Sequence, residues 1–175
     1  SGGIWNNDHD KSYARHREYG GQYYARPDGS QIIEAAYTLL SPNGVGLSPD
    51  GTQVLMADTH TGRLWAFDIL GPGQVGPQGL GQPGVCIATM PGYQLFDSLA
   101  VEADGRACVA TLVNGGITAI AMDGSFTHTP LPDPLTTNIA FGGADGRDAV
   151  VTLSGTGKLV KLRWPRPGLR LNFAA

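Results

Sequence analysis

The sequence predicts an all-β chain, part of a β-propeller made of four-stranded antiparallel blades. Three observations carry that reading. Short apolar runs alternate with turn residues, and 26 Gly and 12 Pro are scattered through the 175 residues, as in a many-turned β protein. A unit of strand, Asp-Gly turn, strand, glycine turn, strand occurs three times. Its copies begin 54 and 41 residues apart, the spacing of propeller blades, which cannot bury both faces alone and so stack.

The repeat is clearest at Pro42-Asn43-Gly44-Val45-Gly46-Leu47-Ser48-Pro49-Asp50-Gly51 and returns over 97–105 and 138–146. In each copy a side chain able to ligate a cation stands eight residues before the turn glycine: Asn43 before Gly51, Asp97 before Gly105 and Asn138 before Gly146. Second strands follow at Gln53-Val54-Leu55-Met56-Ala57, Ala107-Cys108-Val109-Ala110 and Ala149-Val150-Val151-Thr152. Further glycines lie eleven residues past each turn, at Gly62, Gly116 and Gly157, and third strands begin just beyond them. The longer first interval is explained by a Gly, Pro and Gln-rich insertion over 71–84, read as a surface loop.

Ahead of the repeat, Gly3-Ile4-Trp5 and Gln22-Tyr23-Tyr24-Ala25 read as strands flanking a polar loop, and Arg26-Pro27-Asp28-Gly29 reads as a turn. Residues 32–40 suit a strand, although Ile33-Glu34-Ala35-Ala36 also suits a helical turn, and so short a run does not decide. One domain over 1–175 is expected: a partial blade at 1–40, then blades at about 41–95, 96–135 and 136–175. The innermost strand of the partial blade would lie before Ser1. Three and a half blades do not close a ring, so a second polypeptide or a second copy is expected to complete it.

A net charge of -3 with 15% charged residues leaves no basic patch for nucleic acid. No apolar run is long enough for a membrane helix, and no leader is visible, which makes the cytoplasm the default compartment. Cys86 and Cys108 lie in or beside apolar runs and read as buried free thiols, with a disulfide left open.

Taken in order, the chain resembles the lactonases grouped with senescence marker protein, gluconolactonase and luciferin-regenerating enzyme. The matching residues are Gly2-Gly3-Ile4-Trp5 with Asp8-His9, Gly21-Gln22-Tyr23-Tyr24-Ala25-Arg26-Pro27-Asp28-Gly29, Pro42-Asn43-Gly44 through Ala57-Asp58-Thr59 to Gly62-Arg63-Leu64-Trp65, Asp97-Ser98-Leu99, and Thr137-Asn138-Ile139-Ala140-Phe141-Gly142-Gly143. The resemblance implies a longer, six-bladed propeller with a divalent cation in its central tunnel. A Glu, the Asn of a Pro-Asn-Gly and an Asp opening a later blade would hold it. Asn43 and Asp97 match the last two. The Glu and a substrate-contacting Asn have no counterpart here, so the chain resembles the C-terminal portion of such an enzyme. Ser98 stands where many members have Gly.

Lactone hydrolysis needs a polarised carbonyl, an activated water and a stabilised oxyanion, all within reach of a hard cation with oxygen ligands. Asp97 is read as a metal ligand that also serves as general base, and Asn43 as a metal ligand. Asn138, Asp8 and His9 are read as substrate-side residues. Oxygen ligands favour Ca²⁺ and leave Mg²⁺, Mn²⁺ and Zn²⁺ open. His60 is expected on a surface turn, and Trp5, Trp65 and Trp164 between blades. The expected substrate is a small lactone, of a sugar acid or a similar ester. The alternative is a non-catalytic propeller serving as an interaction module, which would carry its distinctive residues on blade rims instead of inner-strand entrances.

Overall fold

A computed structural model describes residues 2–9, 11–76 and 84–171 as four antiparallel sheets, without a helix among them. The first sheet is β1 (Ile4–Asp8), β2 (Gly20–Ala25) and β3 (Ile32–Leu39) in that order. The second is β4 (Pro42–Leu47), β5 (Gln53–Asp58) and β6 (Arg63–Gly71), with β7 (Gln74–Val75) and β8 (Val85–Thr89) both pairing with β6. The third is β9 (Leu95–Val101), β10 (Ala107–Leu112), β11 (Gly116–Ile120) and β12 (Phe126–Pro130). The fourth is β13 (Thr136–Gly142), β14 (Asp148–Leu153) and β15 (Lys158–Arg163). The stretch left open between helix and strand is therefore the strand β3. Of the 71–84 insertion, residues 77–83 lie outside the described residues.

The Asp-Gly turns form as expected. Gly51, Gly105 and Gly146 take φ of 70°, 94° and 70°, where a Cβ is unfavourable. Each preceding Asp accepts a bond from the backbone N–H two residues on: Thr52 to Asp50 at 3.0 Å, Arg106 to Asp104 at 3.2 Å and Arg147 to Asp145 at 3.2 Å. Asp50, Asp104 and Asp145 are thus turn formers.

Successive sheets stack face to face, which is why the second strands carry apolar residues on both faces. Along β5, Leu55 and Ala57 join Leu64, Phe96, Val109 and Ile120 in one core. Met56, on the opposite face, joins Leu39, Trp65 and Phe67 in another. Along β10, Val109 packs toward the second sheet, while Cys108 and Ala110 pack with Ile117, Ile139, Val151 and Trp164 toward the fourth. Period-two alternation divides each of these strands between two cores.

The inner strands β4, β9 and β13 lie side by side, and β1 packs on β4 as β5 packs on β9 and β10 on β13. β1 runs opposite to β4: Gly3 and Trp5 face the cavity that 46–51 line, whereas Asn7 Nδ2 donates to Asn43 O at 3.1 Å. β1 therefore occupies the place of a second strand, and the first sheet has no inner strand among the described residues.

Past β15 the chain doubles back as a strap across the turn ends of the third and fourth sheets. Ala103 N donates to Pro167 O at 2.9 Å, Gly168 N to Gly146 O at 2.8 Å and Leu169 N to Val101 O at 2.8 Å. Glu102, fully buried, accepts from Trp164 Nε1 at 2.6 Å, Cys108 Sγ at 3.1 Å and Arg166 Nη2 at 3.0 Å, with Arg166 Nε bonded as well. Both cysteines are free thiols. Cys108 is buried as expected, and burial raises its pKa, but Cys86 is exposed because it sits on β8, which forms an edge of the second sheet.

Candidate functional site

Asn43 and Asp97 begin neighbouring inner strands, and the strands are unusually close where they begin. A Cβ on Gly44 would meet Asp97 O and Leu99 N at 2.7 Å. Glycine at this position brings the backbone of β4 against that of β9 and sets the two side chains together. Asp97 is half-buried. Burial raises its pKa, and the bond from Ser98 N to Oδ1 at 2.9 Å, the Asn43 amide and the charge of His9 oppose that rise. Asn43 Nδ2 donates to Thr59 Oγ1 at 3.3 Å, and Thr59 is itself buried, so the amide is held from behind.

His9 follows β1 and comes to the same place. Ser41 Oγ, fully buried, lies 3.4 Å from its Nδ1, and the His9 and His60 ring centroids are 6.3 Å apart. His60 occupies an exposed turn, as expected, and contacts Arg17. Asn138 occupies the corresponding position on β13 and repeats the local bond of Asp97, with Ile139 N donating to its Oδ1 at 2.8 Å. It is exposed, and among the described residues no hydrogen bond joins it to Asn43 or Asp97. Asp8 is not brought to the pair. It lies on the alternate face of β1, where its charge acts on Tyr23, and Asn7 faces β4 in its stead. Asn7 was missed because 6–11 reads as a polar loop, but its two-residue offset from the inward Trp5 marks the same face.

Among the described residues no group of three or more His, Cys, Asp or Glu side chains is placed to hold a metal ion. The pair still fits part of an oxygen-ligated site. It offers one carboxylate and one amide oxygen, and among the described residues no Lys or Arg pairs with the half-buried Asp97. A hard cation takes about six to eight oxygens, so two protein donors are a portion of a cage.

A cavity of about 590 Å³ opens further along the same strands, toward their turn ends. Trp5, Val45, Leu99, Ile139, Phe141 and Leu169 are among its lining residues, and Asn43, Asp97 and Asn138 are not.

Stacked antiparallel sheets with inner strands side by side, opening on oxygen-bearing side chains, define a β-propeller whose channel carries the candidate site. The chain belongs to the SMP-30/gluconolactonase/LRE-like family, whose model matches residues 1–155. It is 30% identical over 107 residues to the lactonase drp35 of Staphylococcus saprophyticus, a match covering 61% of this chain and 32% of that protein. Among solved structures it is similar to regucalcin, a calcium-binding protein of Agrobacterium tumefaciens, with TM-score 0.70 and 20% identity over 97% of this chain and 62% of that one. It is also similar to a gluconolactonase of Xanthomonas campestris, with TM-score 0.67 and 23% identity over 86% of this chain and 50% of that one. The chain thus spans a third to about three fifths of the length of these relatives.

Proposed function

We propose that this chain is the C-terminal part of a metal-dependent lactonase, with Asn43 and Asp97 supplying two oxygens to a divalent cation in the propeller channel. The observation that carries the reading is the adjacency of Asp97 and Asn43, enforced by Gly44, on inner strands of a family propeller. Ca²⁺ is the first choice, since both donors are oxygens and a structural relative is a calcium-binding protein. The bound cation would polarise the lactone carbonyl and acidify a neighbouring water. Asp97 takes the proton of the attacking water as its oxygen bonds to the carbonyl carbon. The Asn43 amide, fixed by Thr59, holds the carboxylate in that orientation. The ester C–O bond then breaks, the ring oxygen leaves as an alkoxide and is protonated, and a hydroxy acid results. His9 and Asn138 border the substrate at the channel mouth. The remaining ligands and wall come from further blades, on the same protein or on a partner.

Two measurements on the full protein test this. Calorimetry is expected to show Ca²⁺ binding that Asp97→Ala abolishes, and a pH-stat assay is expected to show lactone hydrolysis lost in the same variant. Equal Ca²⁺ affinity in Asp97→Ala and parent would remove the site assignment.

A further inference from the structure

The inner strands pass from polar to apolar immediately beyond the candidate pair. On β4, Asn43 is followed by Val45, Gly46 and Leu47; on β9, Asp97 by Leu99 and Val101; on β13, Asn138 by Ile139 and Phe141. These residues wall the 590 Å³ cavity, with Trp5 on one side and Leu169 and Leu171 of the strap at its far end. Its polar lining residues, Ser48, Asp50 and Arg170, belong to the turn and the strap, and Asp50 is engaged by Ser48 and Thr52. At about 3.3 Å per strand residue, Val45 lies only about 7 Å along β4 from Asn43. Gly46 lets β4 lie close against β9, since a Cβ there would meet Leu99 Cδ1 and Val101 Cγ2 at 2.8 Å. The volume falls within the roughly 300–1,000 Å³ typical of small-molecule sites.

We propose, building on the lactonase reading, that this cavity takes an apolar substituent of the substrate, so that the lactone processed carries an alkyl or aryl chain. A polyhydroxylated ring substituent would lose hydrogen bonds to water here, and the side chains of Val45, Leu99, Ile139 and Phe141 offer none in return, leaving only the backbone groups of the edge strands to replace them. An alkyl chain loses nothing polar and gains burial. With the ring carbonyl at Asn43 and Asp97, the chain follows β4 and β9 into the cavity.

The test uses the full protein and δ-lactones of one ring size: unsubstituted, alkyl-substituted with increasing chain length, and polyhydroxylated. Each methylene that enters the cavity is expected to raise kcat/KM about fourfold, mainly through KM, until the cavity is filled. The corresponding δ-lactams, which are not hydrolysed, should bind with the same chain-length dependence in calorimetry. Val45→Phe, which fills the cavity, should flatten that dependence. Hydrolysis of the polyhydroxylated lactone with no gain for alkyl chains would overturn the cavity assignment and leave the lactonase reading standing. Chain-length-dependent lactam binding without hydrolysis of any lactone would leave the cavity as an apolar site and remove the reaction. Lactam affinities independent of chain length would overturn the proposal outright.

Discussion

At the scale of single residues, a half-buried and a fully buried carboxylate stand in opposite circumstances. Asp97 is desolvated, and among the described residues no Lys or Arg pairs with it; the Asn43 amide and the charge of His9 offset its burial only in part, the condition of a group held ready for a cation. Burial also opposes the charge of Glu102, but bonds from Arg166, Trp164 and Cys108 outweigh it and hold its pKa below the usual Glu value. A carboxylate whose folded pKa is lowered contributes stability above its unfolded pKa and loses it as pH falls through the folded one. Glu102 is therefore expected to make the fold acid-sensitive below about pH 4.3, the ordinary Glu value. Denaturant titrations from pH 7 to pH 3 check this: Glu102→Gln should be less stable at neutral pH and should lose less stability on acidification. An identical pH dependence in parent and variant would dismiss the role. Asn43 and Asp97 were legible in the sequence because the repeat places them at equivalent positions. Glu102 was not, since its Trp164 and Arg166 partners lie 62 and 64 residues away, in a tail that carries no repeat.

At the scale of elements, β4 approaches β9 at Gly44 too closely to admit a side chain. Gly44→Ala would push a methyl into the backbone of Asp97, Ser98 and Leu99. Overpacking of this kind costs about 1–3 kcal/mol, and here the strain falls between the two candidate ligands. Thermal unfolding should show the loss of stability, and calorimetry should show Ca²⁺ binding weakened by more than tenfold. A Gly44→Ala protein of parental stability and Ca²⁺ affinity would mean that the strands separate without consequence. The strands of the repeat were readable because their turns demand specific residues, Asp then Gly. β1 was read too short: Asn6, Asn7 and Asp8 are polar, and the pairing of Asn7 with Gln22 and Asp8 with Gly21 that makes them a strand depends on tertiary neighbours. The exposure of Cys86 was equally hidden, because an apolar run does not reveal that its strand lies at an edge.

At the scale of the molecule, the array has two uncovered faces. Ile4 and Ile32 on the first sheet are 55% and 72% exposed, and Leu159 on the last sheet is 68% exposed. Between the second and third sheets, and between the third and fourth, such residues are covered by the shared cores. The 175-residue chain alone is expected to self-associate, and Ile32→Lys to reduce that association, as measured by sedimentation velocity. A folded monomer at all concentrations would refute the expectation. The number of sheets was legible from the repeat period; their stacking order followed from the apolar second strands; the strap was invisible because nothing in Arg166-Pro167-Gly168 signals where it docks.

The strap also bears on the timing of folding. Each sheet is a meander of near neighbours along the chain, so its contacts close short loops and form readily. The knot around Glu102 joins residues more than sixty positions apart, and can tighten only after the third and fourth sheets stand side by side. Contacts made after the rate-limiting step act on escape from the native state and hardly on arrival. Formed last, the knot is expected to work as a catch, leaving the rate of assembly largely alone and lengthening the lifetime of the end of the array once assembled.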